Sequence, residues 1–154
     1  MSEVTIKRVQ GFEELTRVMP LILEGFEQMN KRYKAFDLTA EQYTKEMIRI
    51  TSQYDECIGV CWVGGEAVGY GVVRDNTERF SDVRTALFYA LYVKPKFSRK
   101  CSKPLFEAAE GFAREQGYTR VVAYNGRFSG SGFRLFEKVF GMRRQMTRFN
   151  KIIN

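Results

Sequence analysis

The sequence predicts an α/β (α+β) domain in which a mixed sheet carries helices on its faces. Three observations point there. Apolar runs at 57–63 and 66–74 flank Gly64-Gly65, the pattern of a β-hairpin. Leu105, Phe106, Ala109, Phe112 and Ala113 recur at helical spacing soon after a long apolar run at 85–93. The overall order reads β, helices, β-hairpin, β, α, β, α, β, which mixes tight and crossover connections. No GxGxxG fingerprint and no Walker loop is present, so a doubly wound dinucleotide fold is not expected.

The elements follow in order. Weak alternation predicts a first strand at 4–9. Phe12, Leu15, Val18, Met19, Ile22, Leu23, Phe26 and Met29 predict a helix over 13–30, which Pro20 should kink or divide. Thr39-Ala40-Glu41-Gln42 reads as a capping box that opens a helix over 40–52. The hairpin comes next, then a polar loop at 75–82. The apolar strand at 85–93 is ended by Lys94-Pro95. A cationic loop follows, with Ser102 as N-cap, Pro104 in the first turn of a helix and Gly117 just past its end. A short strand at 120–124, a Gly/Ser loop at 128–132, a helix at 133–140 and a last strand at 142–152 complete the reading.

Composition narrows the chemistry. The 154 residues fit one domain with a real core, and no apolar run is long enough to span a membrane. Met1-Ser2-Glu3-Val4-Thr5-Ile6 lacks the pattern of a signal peptide, so the expected location is the cytoplasm. The chain has no histidine, which removes Ser-His and Cys-His nucleophile pairs and most zinc sites; no metal is expected. Cys57 and Cys61 should face one way along a strand as reduced core residues. Charge is uneven. Residues 1–93 carry 11 Lys and Arg against 14 Asp and Glu, net −3, whereas residues 94–154 carry 14 against 4, net +10. A basic half suits a polyanionic partner: a nucleotide cofactor, a nucleic acid or an acidic protein.

Two regions bear a family resemblance. Leu91-Tyr92-Val93-Lys94-Pro95 with the helical run from Leu105 to Gly117-Tyr118 is one; Leu135-Phe136-Glu137-Lys138-Val139-Phe140-Gly141-Met142 is the other. Together they resemble the GNAT N-acetyltransferase superfamily. The resemblance implies a mostly antiparallel sheet of six to seven strands flanked by about four helices. It also implies acetyl-CoA as acyl donor, slotted between splayed fourth and fifth strands. Cofactor contacts would then fall on Leu91, Tyr92 and Val93, on the loop Ser98, Arg99, Lys100, Cys101, Ser102 and Lys103, and on Asn125, Ser129 and Phe136. The reaction implied is direct attack of an amine on the thioester, with a small molecule or a protein supplying the amine.

This chain departs from the family pattern at several positions. The loop at 98–103 lacks the family's glycines and offers cations instead. The family's proton-donating tyrosine falls at Phe136, and its strand acid falls near Tyr89 or Ala90. Tyr89 and Tyr124 are the substitute catalytic candidates, with Tyr92 beside them, although such a residue is more often an ordinary core or edge aromatic. Glu24 and Glu27, on the first helix, could attract a cationic amine. A catalytically degenerate binding domain is the competing reading. Nucleic-acid binding by Arg143, Arg144, Arg148, Phe149 and Lys151 is a third. Homodimerisation is left open.

Overall fold

The computed structural model describes residues 3–33, 36–123, 137–138 and 140–143. Among them are five strands: β1 (Val4–Arg8), β2 (Cys57–Val63), β3 (Glu66–Asp75), β4 (Thr85–Val93) and β5 (Arg120–Ala123). Three helices accompany them: α1 (Gly11–Tyr33), α2 (Ala40–Thr51) and α3 (Ser98–Glu115). The strands form one sheet in the order β1-β2-β3-β4-β5. Pairing is antiparallel from β1 to β4 and parallel between β4 and β5, with α3 as the crossover. The expected mixed, mostly antiparallel sheet is therefore found. The described strands and helices are fewer than the six to seven and four expected. The helix at 133–140 lies mostly, and the strand at 142–152 almost wholly, outside the described residues. No described helix is long and apolar enough to cross a membrane.

Both faces of the sheet are covered, which explains the apolar strands. Ile58, Val60, Tyr70, Val72 and Ala90 pack with Leu15, Val18, Ile22, Phe26, Tyr43, Met47 and Ile50 of α1 and α2. On the other face Cys61, Val63 and Val68 pack with Cys101 and Leu105 of α3, and Cys57, Val73 and Ala86 pack with Ala113. Cys57 and Cys61 thus share a face as buried free thiols, as expected. Burial pushes both thiols up to about 12.

The hairpin and the α2 cap match the sequence reading. Gly64 and Gly65 have φ of 57° and 79°, the left-handed pair a tight hairpin turn requires. Thr39 Oγ1 accepts from Gln42 N at 3.2 Å, and Gln42 Oε1 accepts from Thr39 N at 2.9 Å.

Two prolines differ from expectation. Pro20 neither ends nor divides α1, which runs 23 residues without a break. Pro104 does not mark the first turn of α3. Pro95–Phe97 forms a 3-10 turn, α3 begins at Ser98, and Pro104 lies inside the helix. Ser102 is therefore not an N-cap, and residues 98–103 are helix rather than loop. In both helices the residue four positions before the proline is exposed. The carbonyl that loses its helical donor there can be hydrated, which lowers the cost of an interior proline. Burial of Cys101 and Leu105, one turn apart, with Phe97 packed beside them, draws the helix start back to Ser98.

Candidate active site

β4 is paired unequally on its two sides. Its register with β3 extends from Asp75↔Ala86 to Gly69↔Val93. Its register with β5 covers only Thr85↔Arg120 to Phe88↔Ala123. The β3 register also shifts, with Val72 opposite Ala90 and Val73 opposite Phe88. Tyr89 is thus the extra residue of a β-bulge, placed one residue past the last pair with β5. A bulge bends its strand and increases the local twist. Among the described residues, 89–93 of β4 have no strand partner on the β5 side.

The bulge also sets which side chains meet on each face. Leu91 and Val93 pack toward α3 beside Leu105 and Cys101, so their side chains are core, as expected. Tyr89 and Tyr92 both lie on the face under α1 and α2. The Tyr92 hydroxyl donates to Glu24 Oε2 at 2.8 Å, joining β4 to α1. This closeness depends on Gly25. A Cβ there would fall 2.6 Å from the Tyr70 ring and 2.8 Å from the Tyr92 ring. Burial, then the bond to Glu24 and its charge, pushes the Tyr92 phenol up to about 12. Tyr92 therefore stays protonated, occupies one lone pair of the carboxylate and leaves the rest for an ammonium.

Tyr89 is half-buried. Its ring packs on Phe36 at 5.2 Å and on Tyr43 at 6.2 Å between centroids, and the Arg74 guanidinium lies 4.5 Å over it. Burial raises its pKa, with Arg74 opposing the rise, so it too holds its proton at neutral pH. Behind it, Tyr43 and Tyr70 share a buried hydroxyl contact of 3.0 Å, and Tyr70 donates to Ile22 O at 3.2 Å. These contacts fix the aromatic floor beneath α1 and α2.

The cationic segment lies where β4 gives way to α3. Ser98, Arg99, Lys100 and Lys103 are exposed on the first two turns. Phe97 in the N-cap position makes no side-chain cap, so the helix end keeps its positive partial charge. Cys101 is a correction: it is fully buried beside Cys61, so its thiol cannot face an anion. Ser102 is half-buried inside the helix rather than at its cap.

The remaining expected residues are not gathered here. Glu27 is exposed on α1. Tyr124, Asn125, Ser129 and Phe136 lie outside the described residues, as do Arg144, Arg148, Phe149 and Lys151. Two cavities, of about 190 and 570 Å³, lie among β1, β2, β3 and α3 and between α1 and the β1–β2 edge. Neither borders residues 89–93 of β4. The sequence reading missed Gly25 and Arg74. A glycine amid the apolar stripe of α1 was the visible signal for the first.

A five-stranded order with one parallel pair, a bulge in the fourth strand, and a helix starting at the end of the fourth are now in view. The profile of the acetyltransferase (GNAT) family matches residues 22–142. The chain belongs to this family. Solved GNAT structures share its fold at low identity. An aminoglycoside N-acetyltransferase in complex with CoA superposes with a TM-score of 0.75 at 11% identity, covering 99% of this chain and 96% of that one. Glucosamine-6-phosphate N-acetyltransferase from Arabidopsis thaliana gives 0.67 at 16%, covering 99% of both chains. Ribosomal-protein-alanine N-acetyltransferase from Brucella melitensis gives 0.66 at 16%, again covering 99% of both. No curated protein sequence matches the chain significantly.

Proposed function

We propose that this GNAT chain transfers an acetyl group from acetyl-CoA to an amine. The carrying observation is the Tyr89 bulge of β4 with the Glu24–Tyr92 pair beyond it and α3 after the strand's end, in a chain that belongs to the acetyltransferase family. Pantetheine amides would pair with the backbone of 89–93 as an added strand does. The pyrophosphate would meet the uncapped start of α3 and the side chains of Arg99 and Lys103. Such a cofactor would lay its thioester toward the bulge.

The chain's own groups then divide the work. Glu24 attracts and orients the cationic amine, held by the Tyr92 hydroxyl. Water carries the amine proton away, since no histidine exists and no described carboxylate sits on β4. Tyr89 keeps its proton and is the described phenol beside the bulge, suited to donate toward the thioester oxygen or the departing thiolate. Much of the rate enhancement comes from holding amine and thioester together. The buried free thiols accord with a reducing, cytoplasmic setting.

The test is incubation with acetyl-CoA and a panel of small amines and peptides, following thiol release and product mass together. N-acetylated product matched to free coenzyme A is expected, with Glu24→Gln raising KM. Intact acetyl-CoA across the panel contradicts the enzyme. Bound acetyl-CoA without transfer would point to the degenerate binding domain.

A further inference from the structure

Arg74 occupies an unusual electrostatic position beside the bulge. It lies on β3 opposite Leu87 and stacks over Tyr89 on the α1–α2 face. Its neighbours form a network that favours another arginine. Arg49 reaches Glu46 Oε1 at 2.7 Å and Glu56 Oε1 at 2.7 Å. Glu56 is buried, and its second oxygen accepts from Asp75 N at 2.9 Å. Arg49 therefore takes the short bonds of both carboxylates. Arg74 keeps the Tyr89 side chain beneath it and Glu46 at 3.4 Å from a buried Nε that makes no hydrogen bond among the described residues, while 31% of its side chain stays exposed. A buried, unbonded guanidinium N–H is uncommon, because leaving it so costs more than a bond to it returns.

The location gives this cation a use. Tyr89, under Arg74, is the bulge residue of β4, and Glu24–Tyr92 stands three residues further along the same strand. At strand rise, that separation is roughly 10 Å. A cationic and an anionic anchor thus lie on one face of the sheet, beneath α1 and α2. We propose that Arg74 binds an anionic group, a carboxylate or a phosphate, on the acceptor, so that the substrate is an amine carrying its own negative charge. This rests on the transferase reading above. The planar guanidinium fork suits both anions, which an ammonium would hold as a point charge.

The test uses matched acceptors: 4-aminobutyrate against 4-aminobutanamide for the carboxylate arm, and phosphoethanolamine against ethanolamine for the phosphate arm. Wild-type protein should prefer the anionic member of at least one pair, and the arm that responds identifies the anion. Arg74→Ala should raise KM for that member about tenfold to a hundredfold. KM for the neutral partner and the affinity for acetyl-CoA should stay unchanged. Arg74→Lys, which keeps the charge without the fork, should recover part of the loss; it also serves if the alanine variant fails to fold. Equal wild-type use of charged and neutral members overturns the proposal. So does an equal KM rise for both in the variants, which is the mark of a purely structural arginine. In either case transfer to the neutral amines leaves the transferase reading standing. Wild-type protein that binds no acetyl-CoA overturns both.

Discussion

At the scale of single residues, the site depends on a position with no side chain. Gly25 lets α1 settle against the rings of Tyr70 and Tyr92 and brings Glu24 to the Tyr92 hydroxyl. Gly25→Ala should gain helix propensity yet lose overall, because its Cβ cannot fit at 2.6 Å from a ring carbon. A net loss of ~1–3 kcal/mol is expected from overpacking, read as a lower urea midpoint with the slope unchanged. KM for the amine should rise with it, as Tyr92 is displaced from Glu24. Sequence reasoning found Glu24 as a candidate but not its partner. The two residues stand 68 apart in sequence, and only the crossing of α1 over β4 joins them. Cys101 illustrates the opposite error: among cations it reads as a cofactor contact, but its place one turn before Leu105 buries it.

At the scale of elements, boundaries followed local chemistry where that chemistry was strong. The strand at 85–93 matches β4, because nine apolar or β-favouring residues end at Lys94-Pro95. The α2 cap was equally legible, since both partners lie within four residues. Thr39→Ala should cost about 1 kcal/mol of stability, measured by denaturant unfolding. It should leave acetyl-CoA affinity unchanged, because Thr39 is exposed and its side chain bonds within the α2 cap, away from β4. The start of α3 was misread because Pro104 looked like a first-turn proline. The packing stripe of Phe97, Cys101 and Leu105 overrides that local signal. The bulge at Tyr89 was illegible in the sequence, because it is a property of the pairing with β3 rather than of any residue in β4.

At the scale of the whole molecule, titration behaviour follows from what is buried and what is missing. Burial raises the pKa of Tyr43, Tyr70 and Tyr118, and pushes Tyr92, Cys57 and Cys61 up to about 12. Each therefore keeps its proton in the folded chain after losing it in the unfolded one, where cysteine titrates near ~8.5 and tyrosine near ~10. The unfolded state then binds fewer protons, so stability must fall as pH rises. The contribution is full below about pH 8.5 and is lost progressively toward pH 12. The urea midpoint should drop across that window, and tyrosinate absorbance should lag behind that of unfolded chain. A midpoint that holds steady up to pH 11 would contradict the buried phenols. With no histidine, kcat/KM near neutrality should follow only the deprotonation of the acceptor amine.

The separation of charge between the two stretches of chain also belongs to this scale. The net +10 of residues 94–154 begins where β4 ends, so the cofactor's phosphates would approach an electropositive surface. Calorimetric titration with acetyl-CoA and with free coenzyme A tests the central claim most directly. Saturable binding of both is expected, weakened by added salt and by Arg99→Glu, which reverses a charge at the start of α3. Failure of the wild-type protein to bind either ligand at millimolar concentration would contradict the account.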